Sequence, residues 1–243
     1  MPLILLIALM AAATAQNSSP PTSPDTTQTV RTIMPTQSTP SPNAEGPELQ
    51  DVKRALLQHD FERARSLLKP MTDACEARDH DAAVPLVNMA DDGEYTDFTT
   101  TVAKGHGTNR AHDDCPGAYR ETGYLMVERG EKEEALRYLD KATTRAPYWS
   151  LAWCERGFVQ RQSGDLQGAL ASYSKALDLA SRFESERGSK AAALRGIGFA
   201  QTELGRLDEA QKAYEDALAI EPGNELARHE LEYIAQLRQR KSH

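Results

Sequence analysis

The sequence lacks any sizeable basic run. Acidic residues outnumber basic ones 36 to 28, the formal net charge is -8, and the only cluster of cations is the short Arg238-Gln239-Arg240-Lys241 tail. A protein that reads nucleic-acid phosphates needs a basic face, so that class is excluded. The tail reads instead as cations at the negative end of a helix dipole. A membrane span is lacking too. It needs about 20 consecutive apolar residues, and the opening run, MPLILLIALMAAATA, stops at residue 15. There is no H-E-x-x-H, no G-x-S-x-G and no G-x-x-x-x-G-K-[ST], the spacings that build zinc, acyl-transfer and phosphate sites. No catalytic residue stands out, no cofactor is expected, and the chain is read as a non-enzyme. Cysteine is scarce, with three residues, Cys75, Cys115 and Cys154.

What is present begins with that apolar opening. Ala13-Thr14-Ala15 fits the small-x-small rule for signal cleavage, although no Lys or Arg precedes the run. Residues 1–15 are therefore expected to be a signal peptide and the chain exported, to a bacterial periplasm or the medium. Membrane contact is expected only through this segment if it stays uncleaved. No Cys follows it, so no lipid anchor is expected. In an oxidising compartment one pair of the three cysteines bridges and one thiol is left over.

Residues 16–47 are Ser, Thr, Pro, Gln and Asn with seven prolines, from Pro20 to Pro47. Such a stretch buries too little surface to offset its ordering entropy and is expected to be a disordered linker. From Glu48 the pattern turns helical. Leu49, Val52 and Leu56, then Phe61, Ala64, Leu67 and Leu68, form two stripes parted by His59-Asp60. Residues 48–115 are read as this helical pair followed by an irregular insertion. Within it, AAVPLVNM and EYTDFTTTVA flank the turn signal Asp91-Asp92-Gly93-Glu94, compatible with a small β-hairpin, and Lys104–Asp114 reads as loop.

Three later stretches repeat one another. Ala135 and Ala169 are 34 residues apart, as are Gly130 and Gly164; Ala210 and Gly205 follow 41 residues on, with the extra residues around Glu184–Lys190. Gly123, Gly157 and Gly198 recur in the first helix of each unit, and Ala142, Ala176 and Ala217 in the second. Small residues at these sites let two antiparallel helices approach closely. A period in this range means a stacked array.

At these residues the sequence resembles the tetratricopeptide repeat family, whose unit is a 34-residue helix pair. Tyr119 and Trp153 fill its early aromatic site, Tyr173 and Tyr214 its late one, and Pro147 and Pro222 its terminal one. The units are 116–149, 150–183 and 191–224, and the Glu48–Met71 pair is compatible with a degenerate fourth, with Ala64 at the small site. Residues 225–243 supply a capping helix, with Asn224 as N-cap, Leu231 and Ile234 inward and Arg238 and Lys241 at its end. The sequence departs from the family at Arg156, where a core Leu is usual, at Gln160 and Gln201, and at Ser181. The expected class is an all-α solenoid.

Such an array curves, and its first helices line the concave side. At 100° per residue Phe158 lies roughly 140° from Trp153, which points it away from the core, with Tyr124 and Phe199 equivalent to it. Arg120, Cys154 and Arg195 take a second groove site and Arg161 a third. Aromatics and Arg dominate peptide-binding energy, and Arg takes a carboxylate by paired hydrogen bonds. The resemblance implies a scaffold or adaptor binding a peptide or helix, acidic or C-terminal. Two other readings stand beside it: a structural subunit whose groove is filled internally and whose convex face binds, and a metal-dependent or thiol enzyme built on residues 79–115. A Cys75–Cys115 bridge would close a loop of some forty residues, worth about 3–4 kcal/mol. Cys75, His80, His106, His112 and Cys115 do not form a specific metal spacing, so no metal is expected.

Overall fold

The computed structural model describes residues 46–241. The expected signal peptide and almost all of the expected linker lie outside the described residues. The described part opens with α1 (Pro47–Leu57) and α2 (Phe61–Asp81). In α1, Leu49, Val52, Ala55 and Leu56 fall on one face and are buried. The turn into α2 puts His59 at φ 57°, and Asp60 caps α2 by accepting from Arg63 N at 3.0 Å.

Three more helix pairs follow: α4 (Cys115–Glu128) with α5 (Lys132–Arg145), α6 (Ser150–Gln162) with α7 (Leu166–Arg182), and α8 (Lys190–Glu203) with α9 (Leu207–Ile220). Helix α10 (Glu225–Lys241) closes the array. Asn224 is its N-cap, accepting from Ala227 N at 3.0 Å, and Ile234 is buried. The turns inside the pairs place Gly130, Gly164 and Gly205 at φ 77°, 83° and 73°. This left-handed region suits glycine, which has no Cβ to clash. His59 precedes Ala64 by five residues, as each of these glycines precedes Ala135, Ala169 or Ala210. The α1–α2 pair is thus built on the same plan as the other three, with a histidine where they carry glycine.

Close approach within a pair depends on the small residues. A Cβ added at Gly198 would lie 2.7 Å from the Tyr214 ring, and one at Gly123 would lie 2.9 Å from Leu139 Cγ. Each unit then stacks on the next, because one pair cannot bury its own apolar face. Leu49, Val52, Ala64 and Leu68 pack with Ala118 and Leu125 of α4. A larger core runs from Ala135 through Tyr173 and Tyr214 to Ile234, joining the later units to the cap. Arg156 fills its unusual place with a polar network. It donates to Asp140 at 2.6 Å, to Ser172 at 2.7 Å and to Gln160 at 3.2 Å.

The insertion between α2 and α4 differs from the expected hairpin. Strand β1 (Leu86–Asn88) pairs with β2 (Asn109–Ala111) in parallel, with Leu86 opposite Asn109 and Asn88 opposite Ala111. Parallel strands need a crossover, and α3 (Asp92–Thr101) supplies it. The Asp-Asp-Gly-Glu signal is a helix cap rather than a hairpin turn: Asp91 Oδ1 accepts from Glu94 N at 2.9 Å. Within the helix the hydroxyls of the β-prone threonines bond back to carbonyls one turn earlier, Thr99 to Tyr95 at 3.0 Å and Thr100 to Thr96 at 2.8 Å. β2 likewise falls in a stretch expected to be loop.

The insertion does not hang free. Val87, Met89, Phe98 and Ala103 pack on Tyr148 at the α5–α6 turn and on Leu179 of α7. The extra residues between α7 and α8 form a 3-10 turn, Glu184–Ser189, that meets the same insertion. Arg182 donates to Asp97 at 2.7 Å and Ser185 to Glu94 at 2.6 Å. Cys75 and Cys115 form a disulfide with Cα atoms 5.6 Å apart, tying α2 to the start of α4. Beside it, Arg145 is buried among Asn88, Asp79 and Asp113, and Tyr119 donates to Asp79 at 2.8 Å. Burial works against the charged form of Asp113, but the guanidiniums of Arg145 and Arg78 outweigh it and hold the carboxyl below its ordinary range.

Candidate functional site

Helices α1, α4, α6 and α8 are the first helices of the four pairs, and the residues expected to line a groove sit on the last three. The structure brings them into one row but turns most of them inward. Phe158 is 4% exposed, Phe199 2%, Cys154 0%, Arg161 7% and Arg195 2%. Phe158 therefore does not face away from the core as its angle to Trp153 suggested. A helix in a stacked array is covered by its own partner and by both neighbouring units, so the buried arc is wider than one helix's periodicity implies. Phe199 meets the Tyr214 ring edge-on at 5.6 Å. The Arg161 guanidinium lies over Phe199 at 5.1 Å and over Phe158 at 5.8 Å. These rings and this arginine are inter-unit packing. Tyr124 is half-buried against the α1–α4 core.

The arginines are engaged by the chain's own carboxylates. Arg120 Nε donates to both oxygens of Glu155, at 2.9 and 3.0 Å, and Arg120 Nη1 donates to Glu121 at 2.7 Å. Arg161 pairs with Glu203, and Arg195 with Glu221. A partner's carboxylate would compete with these pairs. Apart from Arg120–Glu121, each bond crosses from one element to another, so the charges hold the array together as much as they present a surface.

The sequence reading missed the glutamates. Glu155 is 4% exposed, and burial pushes its carboxyl up to about 7 against the pull of Arg120. Glu230 on the capping helix is fully buried, and burial pushes it up to about 7 as well. It faces Tyr214, whose hydroxyl pulls the carboxyl down against the larger effect of burial. Glu121 and Glu155 stand 34 residues apart at equivalent sites, a spacing that marks them as a pair in the sequence. Glu186 and Glu94 carried no such signal, since their neighbours come from distant segments.

The accessible strip runs along the C-terminal ends of the first helices. Tyr124, Val127, Glu128, Gln162 and Gln201 are partly exposed, and Glu203 is exposed. Of the cysteines, two are tied in the disulfide, and burial pushes the Cys154 thiol well up, which keeps it protonated and weakly nucleophilic. His80, His106 and His112 are exposed. Among the described residues no group of three or more His, Cys, Asp or Glu could hold a metal ion, and no helix is long and apolar enough to cross a membrane.

No curated protein matches the chain. Among solved structures, it is similar to the APC/C hetero-tetramer Cut9–Hcn1, at 13% identity and TM-score 0.52, covering 77% of this chain and 29% of that one. It is also similar to the first TPR of Spaghetti (RPAP3) bound to the HSP90 peptide SRMEEVD. That match has 25% identity and TM-score 0.47, and covers 52% of this chain and 94% of that one. A third similar structure is MamA, at 15% identity and TM-score 0.48, covering 79% of this chain and 96% of that one. The tetratricopeptide repeat family matches residues 150–221. Residues 150–221 are thus tetratricopeptide repeats, and the helix pairs, turn glycines and stacked core carry the same solenoid plan across the described residues.

Proposed function

We propose that this chain is a non-enzymatic protein-binding module that holds a peptide or helix of a partner protein along its concave side. The observation that carries the reading is the row of first helices locked to one another by ion pairs, from Arg120–Glu155 to Arg161–Glu203. Such a row is a rigid, extended surface, and rigidity lowers the entropy lost on binding. Contact would fall on the accessible strip, Tyr124, Val127, Glu128, Gln162 and Glu203. Arg161 already engages Glu203, which leaves Glu128 as the strip's other carboxylate, so a basic or apolar partner segment suits it better than an acidic one. The disulfide and the apolar opening support export, since such bonds persist in oxidising compartments.

A second reading has its own support. Five of the seven expected groove residues are buried, which favours a subunit that binds through its convex face instead. The test is capture of partners by crosslinking in the source cell, followed by purification. A Glu128→Arg, Gln162→Arg variant leaves the Arg161–Glu203 pair intact, and should fold as the parent does and lose the partner. Retention by that variant, with loss on substitution of exposed α5 and α9 residues, would move the site to the convex face. Cell fractionation with N-terminal sequencing tests export; an intact Met1 on cytoplasmic protein would overturn it.

A further inference from the structure

The two segments that exceed the repeat meet in one buried seam. The insertion brings Glu94 to it, and the 3-10 turn after α7 brings Glu186. Each is 1% exposed. Glu94 accepts from Ala90 N at 2.8 Å and from Ser185 Oγ at 2.6 Å. Glu186 accepts from Ser150 N at 2.7 Å and from Ser150 Oγ at 2.6 Å. All four donors are neutral. Among the described residues neither carboxyl forms a salt bridge. The charged groups around them are committed elsewhere: Arg110 to Asp92, Arg182 to Asp97 and Asp178, Arg187 to Glu184, and Asp91 to the cap of α3. Cys154 on α6 and Arg195 on α8 complete the surroundings, and Arg195 pairs with Glu221.

Two buried carboxylates with neutral donors and a shared wall disfavour each other's ionised form. We propose that the Glu94–Glu186 seam is a pH-controlled latch, closed while its glutamates hold protons and loosened as they ionise. Opening would release the insertion from the joint between the second and third repeats, because the same 3-10 turn packs on α6, α7 and α8. Burial raises both carboxyls, Glu186 to about 7; the nearby charge of Asp91 adds to both, and that of Glu94 adds to Glu186. A group raised in the closed state binds its proton more tightly there than in the open one. Closure is therefore strongest in acid and weakens as pH rises through about 7. If opening returned Glu186 to its ordinary 4.5, the opening equilibrium would rise about fiftyfold between pH 5 and pH 7.5. This inference does not depend on the proposed partner binding.

Hydrogen exchange on the whole oxidised chain, corrected for intrinsic rates, tests it. Protection of residues 86–111 and 184–189 should fall about fiftyfold from pH 5 to pH 7.5, while α9 holds steady. Glu186→Gln and Glu94→Gln keep the acceptors but not the charge, and each should flatten the slope. A flat wild-type profile, or glutamine variants that keep the wild-type slope, overturns the latch. If either variant fails to fold, carboxyl NMR titration of the wild-type chain decides. Titration of Glu186 near 7 supports the latch, and titration of both carboxyls below pH 5 refutes it.

Discussion

Truncating Phe199 separates a binding surface from a core. Its ring is 2% exposed, meets Tyr214 edge-on at 5.6 Å and carries the Arg161 guanidinium at 5.1 Å. Removing a buried phenylalanine side chain costs about 3–5 kcal/mol in transfer and cavity energy. The edge-to-face pair accounts for about 0.5–1.5 kcal/mol beyond area. A ring facing an open groove would cost within about 0.5 kcal/mol. With a urea slope of about 1–3 kcal/mol per M, Phe199→Ala should lower the unfolding midpoint by more than about 1 M. The loss should also be local, since stability in a stacked array passes between nearest neighbours. Trp149 and Trp153 sit at the first joint, so their fluorescence transition should lag the loss of helical signal. A midpoint within about 0.2 M of the parent, well under that expected shift, would sink the assignment and restore Phe199 to the groove.

Three further outcomes follow from particular residues. Reduction, or paired Cys75→Ser and Cys115→Ser, should cost about 3–4 kcal/mol from the loop the bridge closes; melts with and without reductant that coincide would refute this. Burial raises the Glu230 carboxyl from 4.5 to about 7, so its ionisation weakens the fold as pH rises across that window. Glu230→Gln should therefore raise stability by about 1–3 kcal/mol at pH 8 and leave it unchanged at pH 4.5, and equal effects at both pH values would exclude ionisation as the cause. His59 holds φ 57° where its counterparts are glycine; His59→Gly should stabilise by about 0.5–1 kcal/mol, and a destabilised variant would mean that the imidazole makes up for its strain.

The helix pairs were legible because small residues at fixed spacing carry a geometric demand. Where two helices must touch, Gly123 and Gly198 cannot be larger, and the demand shows in the sequence. Asp91 was ambiguous because one Asp-Asp-Gly stretch serves a hairpin turn or a helix cap, and only the fate of the following threonines decides. Phe158 was misplaced for a different reason. Periodicity locates a side chain relative to its own helix, whereas burial here depends on the next unit, with Arg161 lying between the Phe158 and Phe199 rings. Periodicity alone places the arginines in the groove without their partners, because Glu155, Glu203 and Glu221 lie 26 to 42 residues distant.

The two irregular segments account for each other. Extra residues between the second and third units would weaken that joint, since an array transmits stability only through adjacent faces. Here the added turn is pinned by contacts from far away in the chain: Arg182 to Asp97 across 85 residues and Ser185 to Glu94 across 91. The insertion that supplies these partners is itself fastened by the disulfide and by Arg145. A departure from the repeat at one joint is thus answered by a brace anchored near the first unit. The brace couples the insertion to the first two repeats, which a plain repeat array does not require, and leaves the last pair to open on its own. It also leaves the concave strip rigid at the joint where the repeat pattern alone would leave it loose.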